Sequence, residues 1–114
     1  MQISIKLTQR TLIVTLSGEL DHHSAEQLRF LIESAITEQH AKNLIFDFSA
    51  MSFMDSSGIG MVIGRYKLIH ALGGKVALVC ISQRMKKLVT MSGLTRLVGV
   101  YHSVEDAMKE VKGA

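Results

Sequence analysis

The chain is 114 residues long and 47% hydrophobic, with 13 Lys and Arg against 10 Asp and Glu, a formal net charge of +3 and one cysteine. A chain of this size buries roughly two-thirds of its unfolded surface on folding, enough for a real core, so one domain over residues 1–114 is expected. A single cysteine excludes an internal disulfide, and a basic excess that is small and scattered, apart from Arg84, Lys86 and Lys87, gives no reason to expect nucleic acid as a partner.

No run approaches the ~18 uninterrupted apolar residues of a membrane span, and the N-terminus lacks a basic region followed by an apolar stretch. The expectation is therefore a cytoplasmic protein with no membrane partner.

Ile3, Ile5 and Leu7 alternate with Ser4 and Lys6, and Leu12, Val14 and Leu16 alternate with Ile13 and Thr15. This period of two predicts two strands, with Thr8-Gln9-Arg10 as a hairpin link. Ser17 to His23 is polar apart from Leu20 and aperiodic, which predicts an exposed loop. Ser24 and Gln27 have capping-box spacing, and Ala25, Leu28, Ile32, Ala35 and Ile36 then form a helical stripe ending near Gln39.

A strand over 43–48, a loop over 49–55 and a central helix over 57–72 follow, the helix stopped by Gly73-Gly74. Lys75 to Ile81 is apolar after its first residue and predicts an interior strand, with Cys80 a buried, inert thiol. Ser82 caps a short helix carrying Met85, Leu88 and Val89 and closed by Ser92-Gly93. Leu97 to Tyr101 reads as a short edge strand, and Ser103 with Asp106 as the start of a last helix whose apolar side is Ala107, Met108 and Val111.

The order β-β-α-β-α-β-α-β-α predicts an α/β fold, a mixed β-sheet opening with a hairpin and helices packed on it, with right-handed parallel crossovers. Function in such sheets collects at the carboxyl ends of parallel strands, and residues 49–58 lie at one.

That end carries Ser52-Phe53-Met54-Asp55-Ser56-Ser57-Gly58-Ile59-Gly60, where an apolar strand turns into an amphipathic helix. Asp-Ser-Ser-Gly is helix-start chemistry, because side-chain oxygens accept from the first unpaired N–H groups and the helix dipole favours negative charge there. The serines can serve only as caps, or one can be a modification site at which a phosphate meets those N–H groups beside Asp55.

Gly58, Gly60 and Gly64 have neither dinucleotide-fingerprint nor phosphate-loop spacing. Small residues four apart instead predict that this helix approaches its neighbours closely. His22 and His23 lack a serine on a G-x-S-x-G elbow and are expected to be structural or exposed. Adjacent histidines without a ligand cluster predict no metal, and no cofactor is expected. Asp47, between Phe46 and Phe48, is expected at a strand edge or hydrogen-bonded.

Two motifs bear on each other. Gly18-Glu19-Leu20-Asp21-His22-His23, followed about thirty residues on by the stretch from Ser52 to Gly60, resembles the anti-sigma-factor antagonists of the STAS family. Gly64-Arg65-Tyr66-Lys67 and Met91-Ser92-Gly93-Leu94 are similar as well, so the likeness covers essentially the whole chain. The Asp-His-His and Ser-Phe-Met-Asp-Ser-Ser set favours the sporulation type over the general stress-response type.

The resemblance implies a protein that is not an enzyme but an enzyme's substrate. Ser56 takes the position of the phosphate acceptor. The implied partners are an anti-sigma factor that is also a serine protein kinase, bound by the unphosphorylated form to release a sporulation sigma factor, and a PP2C-type phosphatase that reverses the modification. Asp55, Ser56, Ser57 and Gly58, with Asp21, Ile59 and Met61, are expected to form the partner-binding face. The rival from another class is a small nucleotide-binding or nucleotide-hydrolysing protein.

Overall fold

β1 (Gln2–Thr8) and β2 (Thr11–Leu20) pair antiparallel across a two-residue turn, Gln9-Arg10, with positive φ at both residues (51° and 61°). Such turns match the right-handed twist of the flanking strands. The computed structural model describes residues 1–80 and 82–112. After β2 come α1 (His22–Gln39), β3 (Asn43–Met54), α2 (Ser56–Ala71), β4 (Val76–Val79), α3 (Gln83–Met91), a single 3-10 turn (Leu94–Arg96), β5 (Gly99–Tyr101) and α4 (Val104–Lys112). The strands lie in chain order, β1-β2-β3-β4-β5, with every pairing after the first parallel. This is the predicted mixed sheet.

Alternation along β3 sorts the core. Leu44, Phe46 and Phe48 join Leu12, Val14, Leu16 and Leu78 in the main core, with Ala25, Leu28 and Ile32 of α1, Val62 and Ile69 of α2 and Met85 and Val89 of α3. Ile45, Ala77 and Val79 form a smaller core with Ala107 and Val111 of α4. Each fully buried Leu, Ile or Phe adds about 1.5–3 kcal/mol relative to leaving it exposed, so the main core dominates the fold's stability.

Two local predictions are corrected. Residues 49–54 continue β3 instead of forming a loop. Its register with β2 slips between Thr15↔Asp47 and Ser17↔Ala50, and again between Gly18↔Met51 and Glu19↔Phe53, β3 gaining one residue each time. The slips turn the expected spacing of two into the spacing of three seen at buried Phe48, Met51 and Met54, which hid the strand. Asp47 holds the first irregularity, accepting from the Ser49 backbone N–H at 3.0 Å and from the Ser49 hydroxyl.

The predicted loop over 17–23 is likewise the end of β2 followed at once by α1. α1 is capped by Asp21 and not by Ser24. Ser24 is the third helical residue, and its hydroxyl returns to the Asp21 backbone N–H.

The remaining elements agree with expectation to within a few residues. The predicted β4 end at Ile81 lies outside the described residues. Ser82 caps α3 through the Met85 N–H, and Ser103 accepts from the Asp106 N–H at the start of α4. Gly73, at φ 83°, follows α2, and a Cβ on Gly74 would collide with the Lys42 carbonyl, so both glycines are required there.

Candidate functional site

β2 and β3 are parallel neighbours that end together at Leu20↔Met54, and each turns straight into a helix capped by the next residue, Asp21 or Asp55. The two helix starts therefore lie side by side at the carboxyl edge of the sheet. The Asp55 N–H donates to the Leu20 carbonyl at 3.2 Å and ties one start to the other.

At the second start the Asp55 carboxylate accepts from the Ser57 N–H at 2.9 Å and from the Gly58 N–H at 3.2 Å. A cap of this kind contributes about 1 kcal/mol, and a carboxylate adds a favourable dipole interaction. Gly58 belongs here for a steric reason, since a Cβ would run into the Met54 side chain and come within 2.9 Å of Leu20 Cδ2.

The serines diverge. Ser57 is half-buried, and its hydroxyl lies 3.2 Å from His22 Nδ1 on the neighbouring helix. Ser56 is exposed at the first helical position, and among the described residues its hydroxyl has no partner. An unengaged hydroxyl in solvent is free to enter another enzyme's active site.

Of the other expected site residues, Asp21 is exposed, Asp55 and Ile59 are half-buried, Gly58 faces inward, and Met61 is 5% exposed. The Asp21 carboxyl is held below its ordinary value by hydrogen bonds from the Ser24 backbone N–H and then the Ser24 hydroxyl. Asp21 is thus a carboxylate anchored at the start of α1 by Ser24.

The contact between His22 and Ser57 was not legible in the sequence. It follows only once Asp21 is recognised as a cap, for which Asp21-x-x-Ser24 directly after an alternating strand was the available signal. Among the described residues no acidic side chain bonds to His22, so the pair lacks the orienting acid of a hydrolytic triad. The histidines are both exposed, and no group of three His, Cys, Asp or Glu side chains that could hold a metal occurs among the described residues. Cys80 is buried, and burial raises its thiol above the ordinary range, as expected of an inert sulfur.

The prediction of close packing at Gly60 and Gly64 is overturned. A Cβ at either position would meet nothing within 4 Å. Both line a groove of about 360 Å³ between α1 and α2, with His22, Glu26 and Arg29 on one wall and Ser57 and Arg65 on the other. Each glycine costs the helix about 1 kcal/mol relative to alanine, with no packing contact in return.

Arg65 is 7% exposed. Its Nη2 donates to Glu33 Oε1 at 2.9 Å, while Nε and Nη1 are buried without an acceptor among the described residues. Burial pushes this guanidinium below its usual range, Glu33 opposes that shift and Arg29 adds to it. It stays protonated, because arginine has no neutral form at ordinary pH.

A family model for the STAS domain matches residues 2–107. The chain belongs to the STAS domain family. The anti-sigma F factor antagonist of Paenibacillus polymyxa is 36% identical over 112 residues, covering 98% of this chain and 96% of that protein. The solved structure of the anti-sigma factor antagonist SpoIIAA in its unphosphorylated form superposes with a TM-score of 0.78 at 33% identity, over 99% of this chain and 100% of that one. The Bacillus cell fate determinant SpoIIAA in its phosphorylated form superposes at 0.75 with 36% identity, over 96% and 99%. Among the described residues no helix is long and apolar enough to cross a membrane.

Proposed function

We infer that this chain is an anti-sigma factor antagonist of the sporulation type, switched by phosphorylation of Ser56. Unphosphorylated, it binds the anti-sigma factor and releases the sigma factor. That partner is also the serine kinase that transfers the γ-phosphoryl group of ATP to Ser56 Oγ, and a PP2C-type phosphatase restores the hydroxyl. The chain is a substrate in this scheme and does its work by binding in the cytoplasm.

The observation that carries the reading is the contrast between the serines. Ser56 offers a free hydroxyl, whereas the Ser57 hydroxyl is engaged with His22. The relatives that exist in both phosphorylated and unphosphorylated forms support the same chemistry.

A phosphate on Ser56 brings about −1.5 to −2 charges and three acceptor oxygens. The first-turn N–H groups of α2 favour that charge and Asp55 opposes it, so the helix should keep its place. The switch then acts on the interface, where the dianion fills the contact and must be desolvated against the partner. Moving partner occupancy from 99:1 to 1:99 takes about 5.5 kcal/mol of differential affinity, within reach of a phosphate without a counterion. Asp21, Asp55, Ser57 and Ile59 frame the contact, with Gly58 and Met61 setting its shape from beneath.

Incubation with the kinase and ATP should add one phosphate, located at Ser56 by mass spectrometry and absent from Ser56→Ala. Ser56→Asp should weaken partner binding while leaving circular dichroism unchanged. Normal phosphorylation of Ser56→Ala would overturn the assignment, and unimpaired binding by Ser56→Asp would overturn the charge switch.

A further inference from the structure

The groove between α1 and α2 is not required by the packing of the two helices. Gly60 and Gly64 have open space where a Cβ would sit, so alanine would be accommodated at either position and would hold the helix better. The groove is thus kept open at the expense of the helix that forms it.

Arg65 supplies an independent observation. Its side chain is 9% exposed and lines the groove, yet among the described residues only Nη2 has an acceptor, and Nε and Nη1 are buried without one. Buried guanidinium N–H groups are normally satisfied, and a planar, bidentate acceptor such as a carboxylate is their best match. Arg29 stands at the same groove from α1. The other charged group lining it is Glu26, beside Arg29 on α1, and Glu33, outside the lining, is engaged by Arg65 Nη2. α2 itself carries Arg65 and Lys67 and no acidic residue.

The groove also has a direction. It begins at His22 and Ser57, one residue along the chain from Ser56, and runs past Gly60 to Gly64 and Arg65. On α1 it extends from His22 to Arg29, two helical turns or about 10 Å. That shape suits a stretch of polypeptide entering from the helix tip.

We propose that the α1/α2 groove receives an acidic segment of the anti-sigma factor, with a carboxylate of that segment held by Arg65 and Arg29. The partner interface then continues from the Ser56 tip down the seam between the two helices. This rests on the antagonist reading given above and adds to it a second, phosphate-independent contact.

The test is the affinity of the full chain for the cognate anti-sigma factor, measured by calorimetry at two salt concentrations. Gly60→Gln combined with Gly64→Gln fills the groove and should weaken binding about tenfold or more, with a thermal midpoint no lower than that of the unaltered chain. Arg29→Glu should also weaken binding about tenfold and flatten its salt dependence. Unchanged affinity in both variants overturns the proposal. Loss in the glycine variant with Arg29→Glu unaffected overturns the acidic occupant.

A second measurement does not depend on filling the groove. The native thiol is buried, so Gly64→Cys gives one accessible site for a maleimide. Bound anti-sigma factor should slow its labelling at least about tenfold, and undiminished labelling overturns the docking site. Failure here is distinguishable from failure of the antagonist reading. If Ser56→Asp loses binding while the groove variants keep it, only the groove is lost, and if the unaltered chain does not bind at all, the antagonist reading falls first.

Discussion

The starts of α1 and α2 are built on one plan and finished differently. Each follows the last residue of a parallel strand, and each is capped by an aspartate in extended conformation. At α1 the third helical residue is Ser24, whose hydroxyl returns to the cap, so donors and acceptors satisfy one another within four residues. At α2 the third residue is Gly58, which returns nothing, and the cap carboxylate spreads over two N–H groups. The first start is closed on itself. The second leaves the Ser56 hydroxyl without a partner among the described residues, and on the proposed reading that is the group another protein uses. The same aspartate cap is thus reciprocated by the third helical residue at α1 and not at α2, and only α2 places a serine at its first position.

The comparison breaks most severely at Gly58. Gly58→Ala places a methyl group against Met54 and Leu20 where the two strands end, and overpacking of this kind should cost about 2 kcal/mol in urea unfolding. Gly60→Ala, two residues away in open space, should instead raise stability by up to about 1 kcal/mol. Opposite signs at neighbouring glycines would show that one is there for packing and the other is not. Equal effects would remove that distinction.

Asp55→Ala comes next. It leaves two first-turn N–H groups without their acceptor and should cost about 1 kcal/mol, seen as a fall in thermal midpoint of about 4 °C for a domain of this size. Because the lost cap lies directly under Ser56, the same variant should be phosphorylated more slowly. Retention of both the midpoint and the rate would mean that the cap does not position the acceptor.

How much of this was legible in the sequence depends on whether one local rule acted alone. Alternation in Ile3–Leu7 and Leu12–Leu16 predicted the hairpin, and serine caps at Ser82 and Ser103 predicted two helix starts, because nothing competed with those signals. The continuation of β3 past Phe48 was hidden because its two register slips destroy the period that identifies a strand. The start of α1 was misplaced because Ser24-x-x-Gln27 imitates a capping box, while the true box, Asp21 with Ser24, lies three residues upstream. At the site, Asp55-Ser56-Ser57-Gly58 was readable as a capped helix start. Its juxtaposition with Asp21 and His22 was not, since that depends on β2 and β3 ending level. The groove was misread outright, because glycines four apart look the same whether a neighbour fills the space beside them or leaves it open.

The smallest effect expected is at Asp21, and it separates the two caps by pH. Hydrogen bonds from the Ser24 N–H, and then from its hydroxyl, lower the Asp21 carboxyl below the ordinary value of 3.8. A carboxyl whose folded value lies below its unfolded value stabilises the fold fully above the unfolded value, and that contribution disappears as pH falls through the folded one. The loss therefore belongs to the range below about pH 4. Asn caps a helix about as well as Asp but does not titrate, so Asp21→Asn keeps the geometry and removes the linkage. Urea unfolding at pH 6 and at pH 3 should show a slightly larger decline for the unaltered chain than for Asp21→Asn, the other carboxylates being common to both. Parallel declines would mean that the Asp21–Ser24 box holds the carboxylic acid as well as the carboxylate, and that the closed start of α1 owes nothing to charge.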